Sequence, residues 1–196
     1  SSLSDVTDLM IESFSGTNNC QWMFSMCTSL TEAPALPAKS VTEYCYSLMF
    51  SGCKKLKTAT ELPAETIGKY SYSTMFKGCS SLESAPDVLP ALKVYENSYE
   101  SMFNGCSKLT KAPKIMAEEL DRMCFANMFS DCVSLIESPQ LPATSLATNC
   151  YCGMFGGCTA LSVPPALPAT TLAANCYYRM FEDCTALSAA PVLQAT

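Results

Sequence analysis

The chain has 196 residues, of which 48% are hydrophobic, so it is long enough and apolar enough to bury a core. Its formal net charge of -6 argues against a nucleic-acid partner, because such a partner needs a basic surface. The absence of histidine excludes His-based catalytic triads and the usual zinc enzymes. No run of about 18 apolar residues is present, so the sequence predicts no membrane span.

The first residues of the chain differ in pattern from the rest. Residues 1–18 are predicted to form an N-terminal cap or a degenerate repeat, whose apolar side chains cover the first face of the adjoining repeats. The apolar residues concerned are Leu9, Met10, Ile11 and Phe14. Residues 19–196 are predicted to form one repeat array.

The dipeptide Met-Phe marks the repeat. It occurs seven times at steps of 26 residues, with a single step of 27. Each Met is followed four residues later by Cys and seven residues later by Leu. A unit of this length cannot bury its own apolar side, so the units must stack. The seven methionines are Met23, Met49, Met75, Met102, Met128, Met154 and Met180.

Each unit is predicted to begin with a short helix that contains the Met-Phe pair. In the sixth unit, Leu146, Cys150, Met154 and Cys158 are spaced by four, which favours one apolar helical stripe. The glycines after Met-Phe are predicted to end this helix in the left-handed conformation. These glycines are Gly52, Gly78, Gly105 and Gly157.

The second half of each unit, Leu-x-x-Ala-Pro-x-Leu, is predicted to be a short extended segment, because proline lacks the N–H that a longer strand needs. The repeat length lies in the range of roughly 20–29 residues that is typical of leucine-rich repeats. The predicted fold class is therefore an α/β repeat solenoid. We expect a right-handed leucine-rich-repeat solenoid of about seven 26-residue repeats, with short parallel strands on one face and short helices on the other.

The last unit resembles a known family. The segment from Cys176 to Leu187 follows the Ile-Gly-x-x-Ala-Phe-x-x-Cys-x-x-Leu pattern of BspA-like (Treponema-type) bacterial surface leucine-rich repeats. Phe181, Cys184 and Leu187 match, Cys176 stands for the Ile, and Met180 stands for the Ala. The resemblance implies an extracellular or cell-surface bacterial protein, often an adhesin, with any signal peptide or anchor outside these residues. It implies no catalytic residue and no cofactor.

The thirteen cysteines invite a chemical interpretation. Disulfides between equivalent cysteines of adjacent units are geometrically marginal, because stacked strands lie about 4.8 Å apart whereas bridged Cβ atoms lie about 3.8 Å apart. The close Cys pairs of zinc sites are missing. We therefore expect small buried thiols that fill the core. Isolated disulfides and a soft-metal site stay open, and Cys152, which fits neither cysteine column, is the candidate for redox chemistry.

Two rows of variable positions in the extended segments form the candidate binding face. We expect a non-catalytic interaction module that binds a protein or a glycan on host or neighbouring cells. The alternative is a structural spacer that displays another domain, and a thiol-redox or metal-binding protein is a third hypothesis. The candidate residues are Glu32, Thr58, Glu61, Asp87, Lys111, Lys114, Glu137 and Gln140.

Overall fold

The computed structural model describes residues 16–195. The apolar residues of the predicted cap, Leu9, Met10, Ile11 and Phe14, lie outside the described residues. The cap and its boundary at residue 18 therefore stay predictions.

Regular secondary structure is sparse. Between residues 16 and 195 there is no α-helix, and the strands are four parallel pieces of two residues each. Strand β1 pairs with β3, with Val88 opposite Lys114, and β2 pairs with β4, with Lys93 opposite Glu119. Their bounds are β1, Val88–Leu89; β2, Lys93–Val94; β3, Lys114–Ile115; and β4, Glu119–Leu120.

The prediction of a helix-plus-strand leucine-rich-repeat solenoid is wrong, because the segments predicted as helices are successions of tight turns. In the second repeat, Tyr44 and Leu48 each have φ of 57° and Gly52 has φ of 75°. An α-helix cannot contain a left-handed residue at every fourth position, since its residues have φ near about -63°. Gly52 does take the left-handed conformation predicted for it, but as one of three such positions in each repeat.

The backbone of these turns alternates between two kinds of hydrogen bond. The N–H groups of Leu48 and Phe50 donate to the carbonyls of Ser73 and Met75 in the next repeat, at 3.0 and 2.9 Å. Between them, the N–H of Met49 donates to the carbonyl three residues earlier in the same repeat, at 3.1 Å. Because odd and even residues use different partners, these amides are satisfied without a helix.

The repeats stack in register, as the sequence predicted when it required units of this length to stack. Parallel bridges join residues 26 positions apart, as between Thr58 and Ser84 and between Lys111 and Glu137. Seven phenylalanine rings form a continuous ladder with centroids 5.5–5.7 Å apart. They are Phe24, Phe50, Phe76, Phe103, Phe129, Phe155 and Phe181.

A second ring ladder runs beside the first. Its centroids lie 5.3–6.1 Å apart, and it contains five tyrosines and Phe125. The methionine, cysteine and leucine columns fill the space around both ladders, and most of their members are buried. The core is therefore one continuous column along the stack.

The left-handed turns generate a test with a matched pair of variants. Arg179 and Glu182 are both exposed and form an ion pair with each other, but only Arg179 has positive φ, at 53°. Arg179→Gly should leave the free energy of unfolding unchanged or raise it by up to ~1 kcal/mol, because it removes left-handed strain. Glu182→Gly should lower it by ~0.5–1 kcal/mol. Urea titration measures both, and an equal loss in the two variants would contradict the turn geometry.

Candidate functional site

The eight residues of the predicted binding face are all exposed. They lie where the extended segments of successive repeats run side by side, and the bridges at Thr58 and at Lys111 belong to this face. The exposure follows from the repeat, because the neighbouring Leu and Ala positions point into the core. The structure thus brings these side chains to one surface along the stack.

A groove of about 680 Å³ crosses the third, fourth and fifth repeats on this face. Four of the predicted residues line it: Asp87, Lys111, Lys114 and Gln140. Residues from three repeats therefore share one concave surface, which a ligand longer than a single repeat could contact.

The remaining predicted residues lie around this groove. Glu32 and Thr58 line a second groove of about 530 Å³ on the first two repeats. Glu61 lines a smaller hollow of about 240 Å³ next to Val88. Glu137 pairs through its backbone with Lys111 at the side of the large groove. The candidate face is therefore a series of hollows along the stack.

Prolines give the large groove its shape. Pro86, Pro113 and Pro139 all line it and are themselves buried, at equivalent positions of three successive repeats. Because the proline ring fixes φ, each segment leaves the turn region in the same direction. The floor of the groove therefore has a rigid backbone, and its lining also includes exposed polar residues.

The charges in the large groove are not neutralised by ion pairs. Among residues 16–195, neither Lys111 nor Lys114 belongs to an ion pair. Glu61 forms no ion pair with either lysine, and both of its carboxylate oxygens accept from the backbone N–H of Asp87 at 3.3 Å. The two lysines therefore remain available to an anionic ligand.

A second charged cluster was missed by the sequence analysis. The Glu96 carboxylate contacts the Arg122 guanidinium, with Nε at 2.7 Å, and the Lys69 ammonium, with Nζ at 3.2 Å. These two cations lower the pKa of Glu96. Beside the cluster, Tyr44 and Tyr70 stack with centroids 4.6 Å apart. The cluster could have been found in the sequence, because Lys69, Glu96 and Arg122 occupy the same position in three successive repeats and alternate in charge.

The thirteen cysteines are all free, eleven of them buried and two half-buried. Members of the main cysteine column donate their thiol to the phenylalanine carbonyl of the preceding repeat, as Cys79 does to Phe50 at 3.1 Å. Burial raises the pKa of Cys79 to about 12 and that of Cys106 well above its usual value. These thiols are thus protonated at neutral pH and hold adjacent repeats together.

Cys152, singled out as the redox candidate, is half-buried and lies in a small polar hollow with Arg179. Burial raises the pKa of its thiol, an effect that Arg179 partly opposes. Over the described part of the chain, no group of three or more metal-ligating residues is placed to hold an ion.

Comparisons with known proteins found no counterpart: no family model matches the chain, and neither a curated protein nor a solved structure is similar to it. The resemblance to BspA-like surface repeats therefore stays a prediction. Within residues 16–195 there is no helix of the length and apolar character that crossing a membrane requires.

The burial of the thiols predicts which of them react in the native protein. Iodoacetamide at neutral pH should modify only the two half-buried cysteines, Cys27 and Cys152, because alkylation requires an accessible thiolate. Mass spectrometry of the digested protein locates the adducts, and the urea-unfolded protein provides the fully labelled control. Rapid native labelling of Cys79 or Cys106 would contradict the structure of the core.

Proposed function

We propose that this chain is a non-catalytic binding module that recognises a protein or a glycan through the grooved face of its repeats. The observation that carries the proposal is the large groove, in which unpaired Lys111 and Lys114 lie beside exposed carboxylates and a buried row of prolines. Concave surfaces with a few convergent polar groups are the usual form of a binding site.

Two further features support binding rather than catalysis. The cysteine thiols are mostly buried and protonated. The groove residues lie on short segments that are held on both sides by neighbouring repeats. Such a surface presents fixed groups to a partner, as repeat proteins commonly do. The cell-surface location that we propose with this function rests on the family resemblance.

A structural spacer is the second candidate, and the two continuous ring ladders favour it. They extend through the stack without interruption, from Phe24 to Phe181 in the longer case. A spacer requires a stiff column of this kind but does not require a ligand. The two proposals therefore differ in whether the groove is occupied by a partner.

Blocking the groove tests the proposal. Wild-type protein should bind at least one member of a combined glycan and extracellular-matrix protein array. Thr110→Trp, which places an indole in the large groove, should weaken that binding by about tenfold or more, equivalent to about 1.4 kcal/mol.

The matched control is Thr170→Trp, at an exposed threonine in the sixth repeat that does not line the large groove. It should bind within about twofold of the wild type, and both variants should keep the wild-type melting temperature. Equal loss in the two variants, or no ligand on the combined array, would overturn the binding module and leave the spacer.

A further inference from the structure

The charged residues that line the two grooves differ in sign between the second, third and fourth repeats. Lys57 lines the groove of the first two repeats. In the third repeat the corresponding surface carries Glu83 and Asp87, and in the fourth it carries Lys111 and Lys114. Within the two grooves, the second repeat therefore contributes one lysine, the third contributes two carboxylates and the fourth contributes two lysines, while Glu61 of the second repeat lines neither groove.

The two grooves lie one after the other on a single face. The bridge between Thr58 and Ser84 joins the end of the first groove to the beginning of the second. The spacing along this path is that of the repeats, which the phenylalanine ladder fixes at 5.5–5.7 Å between ring centroids. A ligand lying along the face therefore meets Lys57 and the lysine pair two repeat steps apart.

Backbone pairing does not offer a peptide a place in these grooves. The segments that line them lie between neighbouring repeats, and part of their backbone is used there, as in the bonds from the N–H of Ala59 to the carbonyl of Ser84 at 2.9 Å and from the N–H of Lys114 to the carbonyl of Asp87 at 2.9 Å. An added strand needs a free edge of such groups. Recognition in the grooves must come from side chains, and the available ones are ammonium, carboxylate, hydroxyl and amide groups above proline rings.

We propose that the grooved face binds a linear glycan in which acidic and neutral sugars alternate. One sugar carboxylate lies against Lys111 and Lys114, and the next acidic sugar lies near Lys57. The neutral sugar between them donates its hydroxyls to Glu83 and Asp87. This inference rests on the binding function proposed above and specifies its ligand.

The alternation also determines which acidic polymers are rejected. A glycan with an anion on every sugar places negative charge against Glu83 and Asp87, where like charges repel. An acidic peptide meets the same repulsion and gains no backbone pairing. Selectivity for alternate charge is therefore the distinguishing property of this site.

The probe is a hyaluronan hexasaccharide, in which a uronic acid alternates with a neutral amino sugar. Its affinity is measured by isothermal titration calorimetry against a chitin hexasaccharide, a heparin hexasaccharide and hexaglutamate. We expect the hyaluronan fragment to bind most tightly and its affinity to fall with added salt. The double substitution K111Q/K114Q should weaken it by about tenfold.

Two further variants separate local from general charge effects. K54Q/K55Q removes two exposed lysines that line neither groove, and its affinity should stay within about twofold of the wild type. E83Q/D87N should increase heparin affinity severalfold, because it removes the repulsion. Equal losses in the two lysine variants, or unchanged heparin affinity in E83Q/D87N, would overturn the inference.

The remaining outcomes distinguish this inference from the proposed function. Binding of the neutral chitin fragment or of hexaglutamate as tightly as hyaluronan overturns the alternating glycan. If hyaluronan does not bind but another ligand does, and Thr110→Trp abolishes that binding, the binding module stands and the alternating glycan is overturned. If nothing binds, both fail.

Discussion

The structure depends on one constraint in the backbone of the turn region. Along the chain, one amide N–H donates to a carbonyl of the next repeat and the following one donates to a carbonyl three residues earlier in its own repeat. Neither set of bonds completes the backbone alone, so a single repeat has unsatisfied groups until a neighbour is present. The same constraint fixes the distance between repeats, so that equivalent rings stack. It also brings Cys53 within 3.1 Å of the Phe24 carbonyl, where a small thiol serves as a weak donor.

The candidate site is a consequence of this stacking. Since equivalent residues of successive repeats lie side by side, a substitution at one repeat position changes one step of a row on the surface. Buried prolines line the large groove, and the variable residues next to them determine which charge each repeat contributes to it. The fold supplies the spacing, and the sequence of each repeat supplies the chemistry.

Much of this arrangement was predictable from the sequence, but the local backbone was not correctly predicted. The repeat and the apolar columns follow from residue spacing alone, but one exposed row was predicted with Asp87 beside Lys114, whereas Val88 lies opposite Lys114 because the third repeat has one extra residue. The helix prediction failed because the apolar residues from Leu146 to Cys158 recur at strictly four residues, whereas four residues of an α-helix overshoot a full turn by about 40°. The mostly small or polar residues at the repeat position of Gly52 and Asp131 also indicated a left-handed turn at this position, and both residues have positive φ. The Lys69–Glu96–Arg122 cluster shares one repeat position in the turn region and was missed because the candidate face was taken only from the extended segments.

The most direct test of the alternating backbone is the measurement of scalar couplings across hydrogen bonds by NMR. The account predicts a coupling from the amide nitrogen of Phe50 to the carbonyl carbon of Met75 in the next repeat. It also predicts a coupling from Met49 to Tyr46, three residues earlier. In an α-helix, Phe50 would couple to the carbonyl of Tyr46 instead. Observation of that coupling, with none to Met75, would contradict the account.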